Sequence, residues 1–208
     1  EIVFTTHTPV EAGNEVHDHG LLRRLGAYNG LNYEKMERIG GDPFNMTVAG
    51  LRLSSITNGV SKLHEETTKK MWEDVDDKSP IIGVTNGVHA NTWQDERMKE
   101  AYESGADLWQ PHYELKQELM HYVADNNYYG TKLDPDALII GFARRAAEYK
   151  RWELIFENKE KIEPLLEEGK LQLIFSGKAH PDDEIGKGII QNIVQIEREH
   201  EGSVVFLE

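Results

Sequence analysis

Largely apolar runs of strand length alternate with longer helical segments through the last third of this 208-residue chain. Strands are predicted at 138–143, 171–175 and 203–207, and helices at about 148–167 and 183–199. Strands this apolar are typical of a sheet that is covered on both faces. The alternation predicts an α/β fold in which right-handed crossover helices connect the strands of a Rossmann-like parallel sheet.

The first part of the chain is less regular. Residues 16–39 predict broken helices, and residues 47–56 fit either a buried helix or a strand. The acidic, turn-rich segment 74–80 (DVDDKSP) is the best candidate for a boundary. We therefore expect two parts, residues 1–80 and residues 81–208.

Composition limits the partners of the chain. Its 37 acidic and 23 basic side chains give a formal net charge of −14, which opposes binding to nucleic acid or to an anionic membrane surface. No apolar run approaches the roughly 20 residues of a membrane-spanning helix. The absence of cysteine excludes disulfides, thiolate metal sites and a cysteine nucleophile, and a cytoplasmic location is expected. The chain starts without Met and ends in an apolar run, so we expect a segment of a longer protein.

Four cations break this acidic background within the stretch GFARRAAEYKRW: Arg144, Arg145, Lys150 and Arg151. They follow a predicted strand and adjoin a predicted helix, where open α/β sheets bind ligands and helix amides favour anions. Arg145 could bind a phosphate with two nitrogens, and Lys150 could add a point charge. The alternative is a solvated helix face on which Lys150 and Arg151 pair with neighbouring glutamates.

Several polar turns follow apolar runs. Thr6-His7-Thr8 and Thr85-Asn86-Gly87-Val88 could hydrogen-bond sugar hydroxyls, although an Asn-Gly turn is more often only a turn. Residues 176–183 form a second predicted strand-to-helix loop, which lacks any nucleotide-binding fingerprint. His17-Asp18-His19 offers two imidazoles without a third ligand nearby, so no metal site is expected.

Five stretches together resemble one family, the glycogen or α-glucan phosphorylases in their shorter bacterial and archaeal form. In family order they are TTHTPVEAGNE, TNGVHANTW, GFARRAAEYKR, FSGKAHPDD and VVFLE. The resemblance covers nearly the whole chain and implies part of a GT-B fold, with two Rossmann-like lobes around a catalytic cleft. Residues 1–80 would end the N-terminal lobe, and residues 81–208 would begin the C-terminal lobe.

The resemblance also implies an activity. The family transfers a glucosyl unit from the non-reducing end of an α-1,4-glucan to inorganic phosphate, which releases glucose 1-phosphate with retention. The 5′-phosphate of pyridoxal phosphate acts as the proton relay. By position, Arg145 and Lys150 match ligands of the substrate phosphate and the cofactor phosphate, and Arg144 matches a basic residue near the cofactor phosphate.

Three further residues match positions that contact the sugar. Tyr149 matches a tyrosine that contacts the glucosyl unit, and Asn86 matches the asparagine that binds the 6-hydroxyl. His7 matches a histidine whose backbone carbonyl faces the sugar. The resemblance leaves the oligomeric state of the parent enzyme open, including a homo-oligomer.

The sequence also departs from the family pattern. It lacks the Gly-Thr-x-x-x-Met-Lys motif that carries the cofactor lysine, the early glycine-rich loop and the glutamate beside the sugar. We therefore expect that the isolated chain forms no Schiff base with the cofactor and has no phosphorylase activity. An incomplete second sheet would leave an unpaired edge, through which the chain could self-associate.

Two other functions compete with this one. A nucleotide-sugar glycosyltransferase resembling glycogen synthase could use the basic corner to bind a diphosphate. A non-catalytic glucan-binding module could use Trp93, Trp109 and nearby tyrosines as stacking platforms.

Overall fold

Two parallel sheets, one in each half of the chain, organise the structure, a computed structural model that describes residues 2–207. The chain divides into two units, one ending at Ala90 and the other starting at Asn91. Because strand Ile81–Gly83 pairs within the first sheet, the division falls after Ala90 rather than near residue 80. The assignment of the two units to two GT-B lobes stays a prediction.

The first unit contains a three-stranded parallel sheet and a short antiparallel pair. Its strands are β1 (Val3–Thr5), β2 (Val16–His17), β3 (Phe44–Asn45), β4 (Ile56–Gly59) and β5 (Ile81–Gly83). Its helices are α1 (His19–Arg24), α2 (Tyr33–Gly40), α3 (Met46–Leu53) and α4 (Lys62–Met71), and α5 (Ala90–Trp93) crosses the division. The parallel sheet has the order β1-β4-β5, so β4 lies between the other two strands.

Small apolar cores hold this unit together. Leu51, Trp72 and Ile81 are buried between the sheet and its helices. A second cluster around Met36 and Phe44 packs α2 against α3 and β3. These cores fix the strands whose carboxyl ends carry the polar turns.

The second unit contains the alternating pattern that the sequence predicts. Its elements are α6 (Glu96–Ser104), α7 (Trp109–Asn126), β6 (Leu138–Ala143), α8 (Lys159–Glu167), β7 (Leu171–Ser176), α9 (Glu184–Glu199) and β8 (Val204–Leu207). The strands pair in parallel in the order β6-β7-β8, with Leu138 opposite Leu171 and Leu173 opposite Val204. The predicted α/β class, with parallel sheets and crossover helices, is therefore confirmed.

Alternate residues of β7 and β8 are buried on opposite faces of the second sheet. Leu173, Phe175 and Val204 pack in one core with Trp152 and with Ile193 of α9. On the other face, residues 174, 205 and 207 pack against Val123 of α7 and Leu133. Burial on both faces explains why these strands are almost continuously apolar.

An ion-pair network joins α6 to α7. The Arg97 guanidinium lies 3.0 Å from Asp95, which caps α6, and 2.5 Å from Glu118 of α7. The hydrogen bond to Arg97 lowers the pKa of the Glu118 carboxyl below its ordinary value. Within residues 2–207, no helix is both long and apolar enough to cross a bilayer.

Candidate functional site

The loops that follow β6 and β7 lie side by side at the carboxyl edge of the second sheet. The Arg144 amide donates to the Ser176 carbonyl at 3.0 Å, and the Ala146 amide donates to the Lys178 carbonyl at 3.0 Å. A Cβ atom on Gly177 would overlap the Arg144 carbonyl oxygen, so this contact requires a glycine. The basic stretch is thus fixed to the loop 176–178.

The backbone after β6 does not continue as the predicted helix. Residues Glu148–Lys150 and Trp152–Phe156 form two short 3-10 helices, separated by Arg151 in the left-handed conformation (φ 54°). The regular helix α8 starts only at Lys159. The expectation that helix amides adjoin the basic stretch was therefore wrong. The turn at Arg151 allows Trp152, only 2% exposed, to stack on Phe175 in the core.

The basic stretch carries unneutralised charge. Among the described residues, Arg144, Arg145, Lys150 and Arg151 form no ion pair within 4.0 Å, whereas Lys170 and Lys187 do. The neighbouring Glu153 instead accepts a hydrogen bond from Asn192. The alternative of a salt-bridged helix face does not describe this segment. It is a concentration of free positive charge in an acidic chain.

Three of the four cations are brought together around one cavity. Arg144, Lys150 and Arg151 line a cavity of about 440 Å³ with the aromatic side chains of Phe142 and Trp152. The Arg144 guanidinium lies 5.7 Å from the centre of the Phe142 ring. A cavity with cationic and aromatic walls can hold an anion that is attached to a flat or apolar group.

Arg145 and Tyr149 differ in how they relate to this cavity. Arg145 is exposed and does not belong to its lining, so the structure groups Arg144 rather than Arg145 with Lys150. Tyr149 is 40% exposed, and the Lys150 ammonium lies 4.7 Å from the centre of its ring. In the sequence, Arg145 follows Arg144 and Tyr149 precedes Lys150, and both side chains are exposed to solvent.

In the first unit, the turns that contain His7 and Asn86 meet at the carboxyl edge of the first sheet. The Thr6 amide donates to the Asn58 carbonyl at 3.0 Å, and the Asn86 amide donates to the Val60 carbonyl at 3.2 Å. The turn after β4 therefore lies between the other two turns. The side chains of His7 and Asn86 are both exposed.

The histidine pair near residue 18 has a structural role. The buried His19 ring contacts the Tyr28 hydroxyl through Nδ1 and the Gly41 carbonyl through Nε2, each at 2.8 Å. His17 lies 3.1 Å from Glu15. In the part of the chain that the structure describes, no group of three His, Cys, Asp or Glu side chains could hold a metal ion.

Sequence reasoning overlooked His64, a buried residue whose ring contacts two of the turns at the edge of the first sheet. Its position three residues after Ser61, which caps α4, was the available signal. A polar side chain in the first turn of a helix that follows a strand can reach back to the preceding loops.

Comparisons with known proteins find phosphorylases among the relatives of this chain. The chain is 34% identical to the maltodextrin phosphorylase of Thermococcus litoralis, over 93% of this chain and 29% of that protein. It is 30% identical to the glycogen phosphorylase of Aquifex aeolicus, over 99% of this chain and 38% of that protein. An uncharacterized protein of Methanocaldococcus jannaschii is 35% identical over 98% of this chain.

No protein-family profile matches the chain. The chain spans between 29% and 39% of the length of these relatives. The similarity therefore concerns a segment of each relative.

Proposed function

We propose, on the premise that this chain corresponds over nearly its whole length to a segment of the glycogen and maltodextrin phosphorylases, that it supplies part of the active site of an α-1,4-glucan phosphorylase. The intact enzyme would transfer a glucosyl unit from the non-reducing end of glycogen or maltodextrin to inorganic phosphate. The observation that carries the proposal is the unpaired cationic stretch at the carboxyl end of β6.

Electrostatics explain why such a stretch is needed. Two like unit charges about 4 Å apart repel by about 4 kcal/mol at an effective dielectric constant of about 20, and phosphate groups carry more than one charge. In this proposal Arg145 and Lys150 bind the substrate phosphate and stabilise the charge that moves in the transition state. Tyr149 contacts the glucosyl unit beside them.

The first unit would supply sugar contacts. Asn86 would bind the 6-hydroxyl through its side chain, and the carbonyl of His7 would face the ring. Both turns follow strands of one parallel sheet, at the edge where open α/β sheets bind ligands. The exposure of both side chains is consistent with this role.

The residues present fit one part of pyridoxal phosphate. Arg144 and Lys150 line one cavity and have no carboxylate partner among the described residues, so they suit a phosphate ester. When bound in the intact enzyme, the cofactor would supply a phosphate that relays a proton. Arg144 and Lys150 would hold that phosphate and orient it. The chain lacks the attachment motif, so we assign the Schiff-base lysine to another segment.

Three parts of the proposal concern the intact protein. We place it in the cytoplasm and assign it α-1,4-glucan and inorganic phosphate as substrates. A homo-oligomeric state stays open. We expect the isolated 208-residue chain to be inactive because it lacks the cofactor lysine motif.

Phosphate binding by the isolated chain tests this assignment without requiring activity. Titration of inorganic phosphate followed by ³¹P NMR should show binding that Arg145→Ala and Lys150→Ala each weaken by roughly ten- to a hundredfold, since a charge-assisted hydrogen bond contributes about 1.5–3 kcal/mol. The matched control is Lys170→Ala, because that lysine is exposed and paired with Glu168. Equal affinities in all four proteins would contradict the proposal.

Two rival functions have their own readouts. Saturable binding of a uridine or adenosine diphosphate sugar, in preference to phosphate, would favour a glycosyltransferase that uses nucleotide sugars. The exposure of Trp93 (81%) and Trp109 (67%) favours a glucan-binding module. Affinity electrophoresis in glycogen would support the module if Trp93→Ala or Trp109→Ala abolished retention while phosphate binding was unchanged.

A further inference from the structure

Two loops at the edge of the first sheet, those after β1 and β4, meet the first turn of α4. Ser61 caps this helix, and its hydroxyl accepts a hydrogen bond from the His64 amide at 3.0 Å. Two other side chains of this turn, His64 and Glu65, contact the edge of the sheet. His64 is 8% exposed, so its ring nitrogens need partners inside the protein.

The imidazole of His64 joins these two loops. Its Nδ1 accepts a hydrogen bond from the Val60 amide at 3.1 Å, in the turn after β4. Its Nε2 lies 3.1 Å from the Thr8 carbonyl oxygen, in the loop after β1. An amide can only donate and a carbonyl can only accept, so Nε2 carries the proton and Nδ1 does not.

The third loop is attached through Val60. While the Val60 amide donates to His64, the Val60 carbonyl accepts from the Asn86 amide at 3.2 Å. Gly59 allows this packing, because a Cβ atom there would lie 3.1 Å from His64 Nδ1 and from the Glu65 amide nitrogen. The chain of contacts therefore runs from Thr8 through His64 and Val60 to Asn86.

Glu65 strengthens the same turn. A hydrogen bond from Lys69 and one from the Gly83 backbone lower the pKa of its carboxyl below the ordinary value. Gly83 ends β5, just before the loop of Asn86. The first turn of α4 thus contacts the end of β5 and the loops that follow β1 and β4.

We propose that His64 is a positioning residue that fixes the loop of His7 relative to the turn that anchors Asn86. β1 and β5 contain three residues each, so few ladder hydrogen bonds hold the loops that follow them. The rigid imidazole ring sets the distance between its two partners, which a flexible side chain could not do. The link to sugar binding rests on the proposed function, whereas the link between the loops does not.

Two substitutions separate the two hydrogen bonds. His64→Asn places a carbonyl oxygen near the position of Nδ1 and keeps the Val60 bond, but it does not reach Thr8. His64→Gln places an amide nitrogen near the position of Nε2 and keeps the Thr8 bond, but it leaves the Val60 amide without its acceptor. The control is His121→Asn, an exposed histidine in α7 of the second unit.

NMR of the 208-residue chain supplies the first readout. We expect His64→Gln to raise hydrogen exchange at the Val60 amide at least tenfold, with the backbone ¹⁵N order parameters of His7, Thr8 and Val10 unchanged. His64→Asn should give the reverse pattern, and His121→Asn should change neither. The same change in both His64 variants, or no change in either, would overturn the proposal.

Two further measurements keep the inference testable. If either variant fails to fold, the side-chain ¹⁵N shifts of wild-type His64 still test it, since a proton on Nδ1 instead of Nε2 would overturn it. In the full-length enzyme, His64→Asn should raise KM for maltodextrin several-fold and leave KM for phosphate unchanged. If the loops change but KM for maltodextrin does not, the positioning role of His64 is supported and the proposed sugar site is contradicted.

Discussion

At the scale of single residues, Glu197 is a buried carboxyl that the fold must accommodate. It is 4% exposed, and its Oε1 accepts a hydrogen bond from the Phe206 amide at 3.2 Å. This amide lies on the outer side of β8, so the carboxyl covers part of the edge of the sheet. Burial raises the pKa of Glu197 above its ordinary value of 4.5, because one hydrogen bond does not replace the lost hydration.

The raised pKa gives a pH dependence with a definite sign. An acid that binds its proton more tightly when folded stabilises the fold below pH 4.5, and that contribution is lost as the pH rises through the folded-state pKa. Glu197→Gln keeps an oxygen for Phe206 and carries no charge. Urea unfolding should show the variant to be more stable than wild type at pH 7.5 but not at pH 4.

The control for this prediction is Glu199→Gln, an exposed carboxyl on the same helix. It should change the free energy of unfolding by less than about 0.5 kcal/mol at either pH. An equal gain from Glu197→Gln at both pH values would exclude the desolvated carboxylate as the cause.

At the scale of elements, apolar periodicity found the strands of the second sheet but not the turn after β6. Strands 138–143 and 171–175 were predicted correctly because both are short, nearly continuous apolar runs, a pattern that the local sequence carries by itself. The predicted helix at 148–167 was wrong in its first half. Burial of Trp152 against Phe175 depends on contacts between distant residues, which override local helix propensity.

The candidate site, too, was predicted only in part from the sequence. The sequence revealed the cations by residue type and placed them after a strand. It could not show that Arg144, rather than Arg145, shares a cavity with Lys150, because which of two adjacent arginines lines a cavity depends on the tertiary fold. His64 was missed because its partners are backbone atoms, and the helix cap at Ser61 indicates its position but not these contacts.

The segment 47–56, which fitted either a helix or a strand, belongs to helix α3 and to the start of β4. Asn45 caps the first turn of this helix. Its side-chain oxygen accepts hydrogen bonds from the Thr47 and Val48 amides at 2.8 and 3.1 Å. Asn45→Ala should lower the free energy of unfolding by about 1 kcal/mol in urea titrations, because it removes this cap. Asn45→Asp keeps the acceptor and should stay within about 0.5 kcal/mol of wild type. Equal losses in both variants would contradict the capping role.

At the scale of the whole molecule, the confirmed resemblance to the phosphorylases and the free edge of β6 both indicate that the second sheet can accept another strand. The relatives are at least about two and a half times as long as the matched segment, and β6 pairs only with β7 among the described residues. Leu138 is 62% exposed, and the strand contains neither a charge nor a proline to protect its edge. The second sheet therefore has room for another strand.

In the isolated chain, that edge should pair with a second copy of itself. An antiparallel register that sets Leu138 opposite Ala143 of the other copy also sets Asp136 opposite Arg145, both exposed, so the contact is complementary in charge. Sedimentation velocity should show a dimer that grows with concentration and weakens with added salt, although the net charge of −14 opposes it. Ile140→Lys should give a monomer, because a lysine on an edge strand blocks pairing. Ile185→Lys, at an exposed position on α9, should not change the dimer. A wild-type monomer that is insensitive to salt and concentration would exclude pairing through β6.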